Sequence, residues 1–98
     1  MSLEVWLPEG IHEETEITVS NGQMKEIRYF PYKMFHLDIF NEGNDDIKVM
    51  INAQSLPNAN TLKKLRGRKY DAKHPKYWRV ALYAEAGNSA TIRISATR

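Results

Sequence analysis

Apolar residues recur at every second position through most of the chain, with Gly, Asn and Pro interrupting them at short intervals. That alternation is the signature of successive half-buried strands. Residues 3–7 read as a short first strand, stopped by Pro8, Glu9 and Gly10. Between residues 11 and 19, Ile11, Ile17 and Val19 share one face while His12, Glu14, Glu16 and Thr18 share the other. Asn21-Gly22 predicts a tight turn, because both residues tolerate positive φ. Residues 24–30 then return as its partner strand, ended by Pro31.

The next pair of segments is the most regular. Phe35, Leu37 and Ile39 alternate with Met34, His36 and Asp38, residues 41–46 turn the chain, and Ile47, Val49 and Ile51 follow. A hairpin that keeps the apolar sets together pairs 39 with 47, 37 with 49 and 35 with 51. It sets Asp38 opposite Lys48 and His36 opposite Met50. Residues 53–60 read as a loop, and 61–65 and 68–71 as short strands about a turn or bulge at Gly67. Trp78, Val80, Leu82 and Ala84 alternate with Tyr77, Arg79, Ala81 and Tyr83, and Ala90, Ile92, Ile94 and Ala96 line a last strand. A closing hairpin pairs 84 with 90, 82 with 92 and 80 with 94.

The pattern therefore predicts an all-β protein of about eight short strands. Residues 60–69 hold the best helical spacing, and Gly67 interrupts it. An antiparallel β-sandwich, Greek-key or jelly-roll-like, lets each strand bury one face; a small β-barrel is the alternative. The expected core is Leu37, Ile39, Val49, Ile51, Trp78, Val80, Leu82, Ile92 and Ile94.

Composition narrows the function classes. A chain of 98 residues has room for a single domain, residues 1–98. It contains no cysteine, which excludes a disulfide scaffold, a thiolate zinc site and a cysteine nucleophile. No apolar run approaches the roughly 18 residues of a membrane span, so no membrane partner is expected. The first residues lack the basic start and long apolar stretch of a signal peptide, which together with the missing cysteines predicts a cytoplasmic protein.

Catalytic chemistry finds little footing. His36 and Asp38 point the same way from one strand, yet the hairpin register already gives Asp38 a cross-strand partner, and no third group is identifiable. The turn at 41–46 is rich in Asn, Asp and Gly, but Gly43 falls third and no bidentate Glu follows, so it reads as a turn rather than a calcium loop. His12, His36 and His74 lack zinc-ligand spacing. There is no G-x-S-x-G elbow and no Gly-rich phosphate loop. Neither an enzyme nor a cofactor or metal is expected.

Two features point to binding instead. Through Ile47 the chain carries 10 acidic and 3 basic residues, and afterwards 11 basic and 2 acidic. The basic excess concentrates in Lys63, Lys64, Arg66, Arg68, Lys69, Lys73, Lys76 and Arg79, with Tyr70, His74, Tyr77 and Trp78 among them. Such a mixture can neutralise phosphates or hold another polyanion, and it can equally be a solvated edge that discourages aggregation. Separately, Tyr32, Met34, Met50, Tyr77 and Tyr83, with Phe40 and Ala81, fall on faces opposite the expected core, where large Tyr and Met side chains suit an interface. The leading expectation is a non-catalytic module that associates with protein, as a homo-oligomer. The runner-up is a module binding nucleic acid or an acidic polysaccharide through residues 63–79.

Overall fold

The computed structural model describes residues 12–29 and 33–98, so the strand expected at 3–7 and the site residue Tyr32 lie outside the described residues. Eight strands are present: β1 (His12–Ser20), β2 (Met24–Arg28), β3 (His36–Asn41), β4 (Ile47–Ile51), β5 (Asn60–Leu62), β6 (Gly67–Asp71), β7 (Arg79–Tyr83) and β8 (Ser89–Thr97). They form two four-stranded sheets, ordered β1-β8-β3-β6 and β2-β7-β4-β5. Every ladder is antiparallel. The two sheets bury a shared apolar layer that includes Val19, Leu37, Ile39, Val49, Val80, Leu82, Ile92 and Ile94. The all-β sandwich is therefore as the alternation predicts.

The strand pairing is not. Only β4 and β5 are both consecutive and paired; at every other connection the chain passes from one sheet to the other. Leu37 pairs with Tyr70 and Ala96, not with residue 49, and Leu82 pairs with Lys25 and Val49, not with residue 92. Asp38 accordingly faces Lys69 and Ser95 rather than Lys48, and His36 faces Asp71 and Thr97 rather than Met50. The physical reason is that alternation reports only which residues look into the core. Two strands that face each other across the sandwich satisfy it as well as two that share a ladder.

The turn at Asn21-Gly22 shows the same division. Both residues have positive φ, 49° and 80°, and Gln23 N–H donates to the Ser20 carbonyl at 3.0 Å, the closure of a type I′ turn. Yet β1 joins the first sheet and β2 the second, because Asn21 N–H bonds to Asn88 and Gly22 N–H to Ala84 at the β7–β8 connection.

Trp78 is half-buried rather than core. Regular pairing of β7 begins at Arg79, and just before it Met34 and Tyr77 form an isolated bridge. Tyr77 takes the inward place, 5% exposed, and the Arg28 guanidinium lies 5.9 Å from the centre of the Trp78 ring. This also corrects the outward placement of Met34 and Tyr77, which join the core at 3% and 5% exposed, while Met50 keeps the face opposite Val49 and Ile51 but is covered there, 1% exposed. Ala81 is likewise buried, Tyr83 is half-buried, and Phe40 is exposed. Side chains so covered within one chain have no surface to give a partner.

Candidate functional site

Seven of the eight basic residues are exposed along a ribbon of chain that includes the edge strand of the first sheet: Lys63, Lys64 and Arg66 between β5 and β6, Arg68 and Lys69 on opposite faces of β6, and Lys73 and Lys76 between β6 and β7. The backbone beneath them is held at several points. Arg66 N–H donates to the Lys63 carbonyl at 3.2 Å, Lys64 N–H to an Asp46 carboxylate oxygen at 3.0 Å, and Asn41 N–H to the Arg66 carbonyl at 2.9 Å. The β6 ladder to β3 then fixes Arg68 and Lys69, and Ala72 N–H and Lys76 N–H bond back to Phe35 and Met34. Leu65 stands at the tip, 61% exposed and at a φ of 57°, a left-handed conformation that costs a leucine energy.

Charge pairing separates this ribbon from Arg28, Arg79 and Arg93, whereas Lys25 and Lys48 donate to Thr18 and Thr61 instead. Arg28 and Arg79 pair with Glu26, and Arg93 with Glu16 and Glu42. Among the described residues, none of the seven ribbon side chains has a carboxylate within ion-pair distance. Their contacts are aromatic: the Arg68 guanidinium lies 5.7 Å from the Tyr70 ring centre and the Lys76 ammonium 5.9 Å from that of Tyr77. Tyr70 and Tyr77 also meet edge to face at 6.0 Å. Tyr77 is buried and Tyr70 half-buried behind the ribbon.

Arg79 does not belong with the seven. Its Nε donates to Glu26 Oε2 at 2.6 Å, and its Nη1 to the carbonyls of Asn52 at 2.9 Å and Gln54 at 3.3 Å. It is a strap that holds the β4–β5 loop and β2 against β7. The hydrogen bond from Arg79, then that from Arg28, holds the Glu26 carboxyl below its ordinary value of 4.5.

Two hollows adjoin the ribbon. One, of about 490 Å³, is walled by Ile51, Asn52, Ala53, Gln54, Tyr70, Lys76 and Tyr77. Its amides are occupied: Asn52 Oδ1 accepts from Trp78 N–H and its Nδ2 donates to the Lys76 carbonyl, while Gln54 Oε1 accepts from Ile51 N–H. The other, of about 310 Å³, lies on the outer face of the first sheet. There His36 Nδ1 meets Asp71 Oδ1 at 2.7 Å, and His12 Nδ1 meets Thr97 Oγ1 at 3.0 Å. His12 and His36 thus flank Thr97 from its two neighbouring strands, although 24 positions separate them in the chain. Asp38 lines the same hollow beside Lys69. The described residues contain no group of three or more His, Cys, Asp or Glu arranged to hold a metal ion. None of their helices is long and apolar enough to cross a membrane.

No family model matches the chain, and no curated protein matches it in sequence. Solved structures do match it in shape. A de novo designed double-stranded β-helix, solved by NMR, superposes with a TM-score of 0.59 at 17% identity, covering 86% of this chain and 97% of that one. The Cupin_2 domain of an XRE-family transcriptional regulator from Enterobacter cloacae gives a TM-score of 0.63 at 10% identity, covering 89% and 81%. The polyketide cyclase RemF from Streptomyces resistomycificus gives 0.57 at 13% identity, covering 88% of this chain and 54% of that one. At such identities the likeness concerns architecture alone, and it identifies the two crossing sheets as a double-stranded β-helix of the kind seen in cupin domains.

Proposed function

We propose that this protein is a non-catalytic module that binds a linear polyanion along the ribbon of Lys63, Lys64, Arg66, Arg68, Lys69, Lys73 and Lys76. The observation that carries this reading is the absence of carboxylate partners for all seven cations among the described residues, on a backbone tied by hydrogen bonds. An internally paired cation spends its charge on its own protein, whereas a fixed row of unpaired ones loses little on meeting a chain of phosphates or sulfates. Such binding is driven by counterion release and is insensitive to sequence. With Tyr77 buried and Tyr70 half-buried against it, backbone contact is favoured over base stacking.

Association with protein, the leading expectation from sequence, loses the support of Met34, Met50 and Tyr77, because all three are buried. The test is titration of a fluorescent single-stranded oligonucleotide, and separately heparin, at low salt. Replacing Lys64, Arg66 and Lys69 with Ala is expected to weaken binding at least tenfold. Arg79→Ala, which removes a paired cation, leaves affinity within about twofold. Equal losses from both variants would refute the ribbon as the site. Heparin and oligonucleotide affinities together distinguish a sulfated sugar from a nucleic acid as the preferred ligand.

A further inference from the structure

We infer that the edge of β1, which pairs with no further strand among the described residues, docks in one copy of this protein antiparallel on the equally open edge of β6 in another, extending the first sheet head to tail. Strand direction permits it. The sheet β1-β8-β3-β6 is antiparallel at each junction, so its two edge strands run in opposite directions. A copy displaced along the sheet therefore offers its β1 antiparallel to β6, as the ladder requires.

Backbone phase supports it as well. Asn41 N–H bonds to Arg66 and Ala72 N–H to Phe35, so the hydrogen-bonded pairs toward β3 are those of Arg68 and Tyr70. The backbone groups of Gly67, Lys69 and Asp71 point off the sheet. On β1, Asn21 N–H bonds to Asn88, which sets the phase so that Glu13, Thr15, Ile17 and Val19 bond to β8. The groups of His12, Glu14 and Glu16 point outward. Thr18 confirms the phase, since its carbonyl accepts the Lys25 ammonium at 2.7 Å from the open side. That bond also closes the edge beyond Glu16, leaving five residues of β1 for the five of β6.

The register that joins these free groups and keeps the outer faces together sets His12 opposite Asp71, Glu14 opposite Lys69 and Glu16 opposite Gly67. Glu14 and Lys69 carry opposite charges, and Glu13 lies diagonal to Arg68. A two-fold pairing of β6 with itself sets Lys69 near Lys69, and one of β1 sets Glu14 near Glu14. Like charges thus oppose both closed dimers and leave the heterologous contact, which repeats from copy to copy. The docking does not rest on the polyanion reading, although a polyanion and a second β1 would compete for the same strand.

Charge-swapped variants test this. Light scattering of the intact chain at low salt is expected to show a mass rising above 11.4 kDa with concentration up to the millimolar range. E14K/E16K and R68E/K69E should each remain monomeric alone, and a mixture of the two should recover assembly at least to the wild-type level. Recovery also shows that both variants are folded. E14K/E16K keeps its ribbon and should still bind the oligonucleotide, so failure of docking and failure of polyanion binding read separately. A wild-type mass fixed at 11.4 kDa, single variants that assemble normally, or a mixture that stays monomeric would each overturn the docking.

Discussion

Gly43 N–H donates to the Asn41 side-chain oxygen at 2.8 Å, and this short loop locks the crossing from the first sheet to the second. Asn41 is fully buried, and its Nδ2 donates to the Asp45 carbonyl at 2.8 Å and the Leu62 carbonyl at 3.2 Å. One amide therefore ties β3 to the turn after it and to β5 in the other sheet. Asn41→Ala orphans these groups and is expected to cost about 1–3 kcal/mol. At Gly43 an added Cβ would lie 2.6 Å from the Ala90 Cα and overlap its Cβ. Gly43→Ala is expected to cost about 1–3 kcal/mol through overpacking. Urea denaturation checks both; unchanged midpoints would show that the crossing is held elsewhere.

The sandwich was legible because alternation fixes parity. Eight of the nine expected core residues are buried, and Trp78 fails because Tyr77 takes the inward place ahead of β7. The ladders were not legible. Nothing in the apolar pattern of Leu37 and Val49 says whether they meet side by side or face to face, and the bonds that seat the Leu37 strand, such as Asn41 to Arg66 and Glu42 to Thr91, are long-range. The basic ribbon could be read as a cluster, yet only the fold separates Arg79, paired with Glu26, from the seven cations without carboxylates. The meeting of His36 with Asp71 and of His12 with Thr97 depends on ladders between distant strands, and strand parity alone gave no signal for either.

Arg79 predicts an acid response. Because its hydrogen bond lowers the Glu26 pKa, the unfolded chain takes up that proton first as pH falls. The stabilisation is complete above the ordinary value of 4.5 and is lost as pH drops through the lower folded-state value. Arg79→Ala is expected to lower stability at neutral pH and to show a shallower loss of stability below pH about 4.5. Thermal melts from pH 7 to 3 check this, and parallel curves for the two proteins would contradict it.

Tyr29 predicts an alkaline one. The residue is 4% exposed and its hydroxyl has no hydrogen-bond partner among the described residues. Burial pushes its pKa up from 10 to about 12. The unfolded chain therefore ionises first, so this contribution is full below pH 10 and fades as pH rises toward 12. Tyr29→Phe removes the orphaned hydroxyl and is expected to leave stability unchanged or raise it by about 1 kcal/mol. It should also resist alkaline unfolding better than wild type. Equal sensitivity of the two proteins between pH 10 and 12 would show that Tyr29 plays no part.

The salt dependence of oligonucleotide binding tests the ribbon most directly. If four to six of the seven ribbon cations each neutralise a phosphate, log K against log salt should fall with a slope of about −3 to −4. Each ribbon lysine that meets a phosphate should, when replaced by Ala, flatten that slope by about 0.7, and Arg79→Ala should leave it alone. A slope near zero, or one that the ribbon substitutions do not change, would contradict polyanion binding through Lys63, Lys64, Arg66, Arg68, Lys69, Lys73 and Lys76.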